Sequence, residues 1–204
     1  MAFTFFFRDA ETLDLAIAEA LPSLQGRAFI HVWDAGCAHG PEPYTLAILL
    51  RERMSEFIFR NVHIHATDVD ATFAEQVRCG VFAAGEVQRV PPAIVARYFR
   101  GAAAPGFVEV VPELRAKVEF SVHDLLSGRA IREGLSMVVC KNVLLHFSHS
   151  QRVEVIQMFH RSLGPGGYFV TEHTQKLPAE TAALFEQVVP HGQLFRKVED
   201  QPCA

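Results

Sequence analysis

Apolar residues recur along this chain at two alternating periods, and the alternation is the first sign of its architecture. Residues 11–21 carry Leu13, Ala16, Ile17, Ala20 and Leu21 at helical spacing, and Pro22 is expected to stop that helix. Residues 28–34 read as a first strand and 42–57 as a first core helix. Residues 62–67 form a second strand, ending in Asp68-Val69-Asp70. A helix through Phe73 and Val77 follows, with Gly80 placed to cap it. Residues 91–100 read as a short helix, and 107–111 and 118–122 as strands separated by Pro112-Glu113-Leu114-Arg115. Residues 135–140 make a short apolar run, as expected of a strand buried on both faces. Ser148 opens a helix reaching Leu163, Gly164-Pro165-Gly166-Gly167 turns the chain, and 168–171 is a further strand. Residues 185–189 and 193–198 flank Pro190-His191-Gly192 as a closing hairpin.

Strand–helix alternation of this kind predicts one α/β domain over residues 1–204, with a doubly wound, mostly parallel sheet. The interval 81–114 breaks the rhythm and reads as a small β insertion beside the sheet. Its strand 107–111, followed by Pro112, is expected to be an edge that a partner peptide could extend. The terminal hairpin favours the methyltransferase variant of this architecture over a dehydrogenase one.

Composition narrows the classes. With 204 residues, 50% hydrophobic, 21% charged and 17 Phe, the chain can bury a full core. A formal charge of −4 leaves no basic excess to neutralise phosphates, which argues against nucleic acid. Cys37, Cys79, Cys140 and Cys203 lie far apart with no C-x-x-C pair, so neither a disulfide frame nor a cysteine zinc site is expected. His63 and His65 share one strand face but lack a third ligand at short spacing, and no metal is expected. The opening phenylalanine run is too short for a signal sequence, and no stretch is long enough to span a membrane. A cytoplasmic location follows from these readings.

The chemistry is concentrated in Val32-Trp33-Asp34-Ala35-Gly36-Cys37-Ala38-His39-Gly40-Pro41-Glu42, a strand running through a small-residue loop into a helix. Gly36, Ala38 and Gly40 are expected to bring backbone N–H groups close to a ligand at the carboxyl end of the strand. The helix start near Pro41 is expected to add further donors. The loop is not G-x-G-x-x-G, so a pyrophosphate is not indicated. Asp68, just past the second strand, has two acceptor oxygens that match a ribose diol, while Asp70 is better placed to cap the next helix. Glu42 can accept a cationic ligand group or simply favour the helix dipole. Asp124 with Leu125, and Asn142 with Val143, follow strands at the same rim, where the first pair suits the edge and face of a purine. Arg8 beside the phenylalanine cluster can reach a substrate, and His146 can donate to one or act as a base.

These segments together resemble the CheR-type chemotaxis receptor glutamate O-methyltransferases. Thr4-Phe5-Phe6-Phe7-Arg8-Asp9 is similar to that family's T-x-F-F-R-[DE], and the stretch from Trp33 onward to W-x-A-[GA]-C-[AS]-x-G-E-E-P-Y. Ala66-Thr67-Asp68-Val69-Asp70, Arg97-Tyr98-Phe99 and Val118-Glu119-Phe120 match further motifs. Cys140-Lys141-Asn142-Val143-Leu144-Leu145-His146-Phe147 resembles C-R-N-V-L-I-Y-F, and Leu163-Gly164-Pro165-Gly166-Gly167 resembles L-x-P-G-G. The likeness runs in order along nearly the whole chain.

The resemblance implies a class I S-adenosylmethionine methyltransferase fold, with S-adenosyl-L-methionine as cofactor and S-adenosyl-L-homocysteine as product. It implies Arg8 near the transferred methyl with Thr4 close by, and Ala35 and Gly36 against the cofactor. Glu42 then serves the methionine part and Asp68 the ribose, with Asp124, Leu125, Asn142 and Val143 around the adenosine. The partner implied is an acidic protein, a chemoreceptor, touched by the insertion. Three departures stand out. Pro41 replaces the first Glu of G-E-E-P-Y. Lys141 and His146 replace an Arg and a Tyr, and in the family that Tyr lies near the methyl. The family's N-terminal helical docking domain is expected to be missing, because the chain opens at the Thr–Arg motif. Two other functions stay open on the residues alone: transfer to another acceptor with His146 as base, and a non-catalytic module that binds the cofactor as a signal.

Overall fold

The computed structural model describes residues 4–172, 176–190 and 192–199, so the expectations for His191 and Cys203 lie outside the described residues. Helix α1 (Ala10–Gln25) runs through Pro22 rather than ending there, and its last turn buries Leu24 beside Leu13, Ala16, Ile17 and Ala20. Burying a leucine side chain contributes roughly 1.5–3 kcal/mol. That offsets most of the ~3 kcal/mol an interior proline costs. Strand β1 (Ile30–Ala35) leads into α2 (Pro41–Arg53). Helix α2 is shorter than its apolar pattern suggests. Met54 is extended, and the Ser55 side chain accepts the N–H of Ile58 to cap a separate turn, α3 (Glu56–Phe59).

Strand β2 (Val62–Asp68) precedes α4 (Ala74–Cys79), which Gly80 closes at φ 64°. Asp70 caps the intervening turn, accepting the N–H of Thr72 at 2.9 Å. Then come β3 (Val81–Ala83), α5 (Pro92–Tyr98), β4 (Phe99–Gly101) and β5 (Phe107–Val110). Helix α6 (Pro112–Arg115), β6 (Val118–Val122) and β7 (Leu135–Cys140) follow. Ser148 and Gln151 form a reciprocal cap at the start of α7 (His149–Ser162). The chain closes with β8 (Leu163–Thr171), α8 (Ala179–Ala182), β9 (Phe185–Gln187) and β10 (Leu194–Lys197). The Gly164–Gly167 run is not a turn between elements but an irregularity inside β8. The register jumps there from Leu135↔Leu163 to Met137↔Tyr168, and Gly166 takes φ 60°.

The main sheet has seven strands in the order β6-β2-β1-β7-β8-β10-β9. The first five run parallel, and β10 lies antiparallel between β8 and β9. Alternate residues of β1 and β7 enter two separate cores. Ile30, Val32, Met137 and Val139 meet α1 and α2, while Trp33, Ala35, Val138 and Cys140 meet α7. This is the doubly wound, mostly parallel sheet that the strand–helix alternation predicts, with its crevice at the carboxyl ends of β1 and β7.

Residues between β2 and β6 build a second, three-stranded antiparallel sheet in the order β3-β5-β4. The 107–111 segment was expected to form an edge, yet β5 is the central strand, paired on both sides. Pro112 does not contradict this, because it lies beyond the strand as the first residue of α6. The edges of the small sheet are β3 and β4. Its Phe82 and Phe99 receive the ring of Phe6 edge-on, at 4.8 and 5.2 Å, which fastens the N-terminal arm to the domain.

Among the described residues no helix is long and apolar enough to cross a membrane, and no three His, Cys, Asp or Glu side chains are arranged to hold a metal. His63 pairs in register with His31 on β1, and the rings of His63 and His65 stack on His31 at 5.0 and 5.3 Å. Burial, then the nearby charge of Arg132, pulls His31 down to about 4, and burial lowers His63 and His65 too. An unfolded histidine titrates near ~6.5, so the unfolded chain takes up these protons first as pH falls. Stability from this cluster is therefore expected to be complete above roughly pH 6.5 and to be lost between there and about 4. Urea midpoints measured against pH should show that slope, and His31→Gln should flatten it; an equal slope in both proteins would refute the assignment.

Candidate functional site

The carboxyl ends of β1, β2, β6 and β7 open onto two adjoining cavities. One, of about 450 Å³, has Thr4, Arg8, Glu42, Lys141 and Asn142 in its wall. The other, of about 460 Å³, is more apolar and includes His123, Asp124, Leu125 and Phe147. Gly36, Asp68, Val143 and His146 belong to both, so the two spaces form one elongated site with Asp68 at the waist. The structure thus brings together Thr4, Arg8, Gly36, Glu42, Asp68, Asp124, Leu125, Asn142, Val143 and His146, while Ala35 and Gly40 line neither cavity. Ala35, the last residue of β1, is 1% exposed and packs in the α7-side core beneath the site.

The loop between β1 and α2 works differently from the expectation. The amides expected to face a ligand are already taken within the chain. Gly36 and Cys37 donate to the Thr67 carbonyl, Ala38 donates to Asp68 Oδ2 at 2.9 Å, and Gly40 donates to the Cys37 carbonyl. Pro41 and Pro43 also strip two donors from the first turn of α2, and Thr45 turns its hydroxyl back onto the Pro41 carbonyl. A phosphate would find little to bind here. What the loop offers is close approach: Gly36 holds φ 98°, and a Cβ there would stand 2.2 Å from Val143 Cγ2. Gly36→Ala is accordingly expected to destabilise the protein by about 1–3 kcal/mol, read as a lower denaturant midpoint. An unchanged midpoint would show that Val143 can retreat at no cost.

Asp68 is held in place rather than free to swing. Its Oδ2 accepts from Ala38 and its Oδ1 from the amide of Asp70 at 3.1 Å, leaving each oxygen a second lone pair for a ligand hydroxyl. Asp124 similarly anchors its own turn by accepting the Leu126 amide at 2.8 Å. Asn142 adopts φ 59°, a left-handed conformation that asparagine tolerates. Its amide donates to Glu172 Oε2 at 2.9 Å, and the same oxygen accepts the Thr171 hydroxyl. Glu172 thereby holds the backbone of Asn142 at the rim. Sequence reasoning passed over it, although a carboxylate directly after β8 sits at the sheet's carboxyl edge like Asp68 after β2.

Lys141 was legible only as a departure from a motif, yet it is part of the polar cavity's wall and its side chain is fully buried. Nζ is 3.2 Å from Glu42 Oε2, 3.4 Å from Asp9 Oδ2 and 3.2 Å from the Arg8 carbonyl. Asp34 lies nearby, 0% exposed, with no hydrogen-bond donor to either oxygen. Burial above all, then the charge of Glu42, pushes its carboxyl well above the usual carboxylate range. The thiols of Cys37 and Cys140 are also driven up by burial, which makes them poor nucleophiles. The arm is anchored between its two cavity-lining residues, Thr4 and Arg8, by the Phe6 ring and by the bond from the Phe7 amide to Thr45 Oγ1 at 3.1 Å.

Comparison with known proteins points one way. A family model described as CheR methyltransferase, SAM binding domain, matches residues 2–191. Chemotaxis protein methyltransferase 2 of Vibrio cholerae is 25% identical, over 95% of this chain and 67% of its own length. Chemotaxis protein methyltransferase 1 of Pseudomonas aeruginosa is 31% identical, over 81% of this chain and 62% of its own length. The chain thus spans about two thirds or less of the length of these relatives. Among solved structures, a TehB-like SAM-dependent methyltransferase from Corynebacterium glutamicum aligns over 93% of this chain and 97% of its own, at 14% identity and a TM-score of 0.48.

Proposed function

This chain belongs to the CheR methyltransferase family, and from that premise we propose that it transfers the methyl group of S-adenosylmethionine to glutamate carboxylates of a chemoreceptor-like protein. The observation that carries the reading is the pairing of two cavities at Asp68: an apolar one suited to a purine and a polar one walled by Glu42 and Arg8. The residues present fit the cofactor. Leu125 and Val143 offer apolar surface to adenine, with Asp124 at its edge. Asp68 accepts from the ribose diol, and Glu42 is the buried acceptor for the amino acid ammonium. Thr4 and Asn142 complete the wall. When bound, S-adenosylmethionine supplies an electrophilic methyl on a sulfonium sulfur.

The chain's own part in the reaction is positioning. A glutamate carboxylate titrates near ~4.3 and is ionised at neutral pH, so no side chain has to remove a proton. Arg8 presents a planar fork of N–H donors to that carboxylate and aligns it. His146, on the opposite rim, is a second donor in the place of the family's tyrosine. Alignment of this kind can supply ~7–11 kcal/mol of a barrier. The small sheet of β3, β5 and β4 is the insertion that meets the receptor, through one of its two edges.

Transfer of radiolabelled methyl from S-adenosylmethionine to a chemoreceptor cytoplasmic fragment tests the reading. A label released by mild base, as a carboxylate ester requires, is the expected result. A base-stable label would identify an amine or another acceptor and would give His146 the role of base. Tight binding of S-adenosylhomocysteine with no transfer to any protein would identify a non-catalytic module.

A further inference from the structure

We infer that Lys141 is a positioning residue that couples the two halves of the reaction site, tying the arm that bears Arg8 to the helix that bears Glu42. What the cavity holds rests on the function proposed above; the tie itself rests on contacts within the chain. The Lys141 side chain has no solvent exposure. The ammonium donates to the Arg8 carbonyl and to Glu42 Oε2, each at 3.2 Å, and forms an ion pair with Asp9 Oδ2 at 3.4 Å. Two of these lie on the arm and one on α2, which places the ammonium as a clasp between them.

The arm needs such a clasp. Phe7 and Asp9 both take left-handed backbone conformations, φ 61° and 50°, and strained residues of this kind persist only where surrounding structure holds them. Upstream, the arm is held by the Phe6 ring and by the bond between the Phe7 amide and Thr45. At Arg8 and Asp9, Lys141 reaches the backbone and the following side chain directly from the cavity wall. Glu42 gives that ammonium a buried counter-charge. Loss of the charge at Lys141 therefore loosens the segment whose guanidinium aligns the substrate, while Phe6 keeps the arm attached.

The first measurement is amide hydrogen exchange without ligand. The amides of Phe7, Arg8 and Ala10 are all hydrogen-bonded, to Thr45, Phe5 and Phe7 respectively, so their protection reports the arm. In Lys141→Met, which keeps a long apolar side chain, these three are expected to exchange at least about tenfold faster, with β7 and α7 unchanged. Lys141→Arg, which restores the family's residue, is expected to return them to wild-type protection. The second measurement is a double-mutant cycle on methyl transfer to the receptor fragment. Lys141→Met should reduce transfer about 10²-fold in the wild-type background and hardly at all in Arg8→Ala, because both changes remove the same alignment. Unaltered arm exchange, or an equal loss in both backgrounds, would overturn the inference and leave Lys141 as a core filler. If Lys141→Met does not fold, Lys141→Gln carries the same exchange comparison. Base-labile methyl transfer by the wild type tests the proposed function separately, while the exchange comparison needs no substrate, so failure of one does not pass for failure of the other.

Discussion

Arg8→Ala is expected to lower methyl transfer by about 10²-fold or more while keeping most of the affinity for S-adenosylhomocysteine. The guanidinium stands in the polar cavity wall, and the lost fork would align a carboxylate rather than adenosine. The effect should therefore fall on turnover with the receptor fragment and leave calorimetric titration of the product little changed. His146→Tyr is the companion experiment. If Arg8 does the aligning and His146 is a neighbouring donor, restoring the family's tyrosine preserves or raises transfer to glutamate. The opposite pattern, with His146→Tyr inactive and Arg8→Ala active, would make His146 a base working on a different acceptor.

Asp68→Ala is expected to weaken S-adenosylhomocysteine binding by roughly one to two orders of magnitude, since removing one partner of a charged hydrogen bond typically costs ~1.5–3 kcal/mol. The carboxylate also accepts from Ala38 and Asp70, so part of that loss comes through a loosened loop. Asp68→Asn separates the two contributions. It keeps one acceptor oxygen but replaces the other with an amide donor, and should fall between wild type and alanine. Calorimetry on a folded Asp68→Ala protein that binds as tightly as wild type would remove Asp68 from the ligand site.

Much of this was written in local pattern. The strand–loop–helix around Gly36, the helix end at Gly80 and the caps at Asp70 and Ser148 follow from short-range chemistry: a left-handed residue, or a side-chain oxygen two or three positions before an orphan amide. The rim residues were legible because they follow strands, and in a parallel sheet every such position arrives at the same edge. Period and punctuation were thus enough for the doubly wound sheet, its closing hairpin and most of the site.

Other features depended on partners distant in the chain, and no local rule contains them. Pro22 stays helical because Leu24 finds a core, and β5 is central because β4 and β3 close on either side of it. The Gly36 and Ala38 amides that looked available for a ligand are taken by Thr67 and Asp68, about 30 residues away. Lys141 shows the limit most clearly: as a letter it is a conservative change in a motif, while its meaning comes from Arg8 and Asp9 at one end of the chain and Glu42 on another helix. Sequence alone determined which strand-end residues reach the crevice, because backbone period carries them there. Only the tertiary structure decided which of them are already occupied with one another, because burial and hydrogen bonding are settled between segments rather than within them.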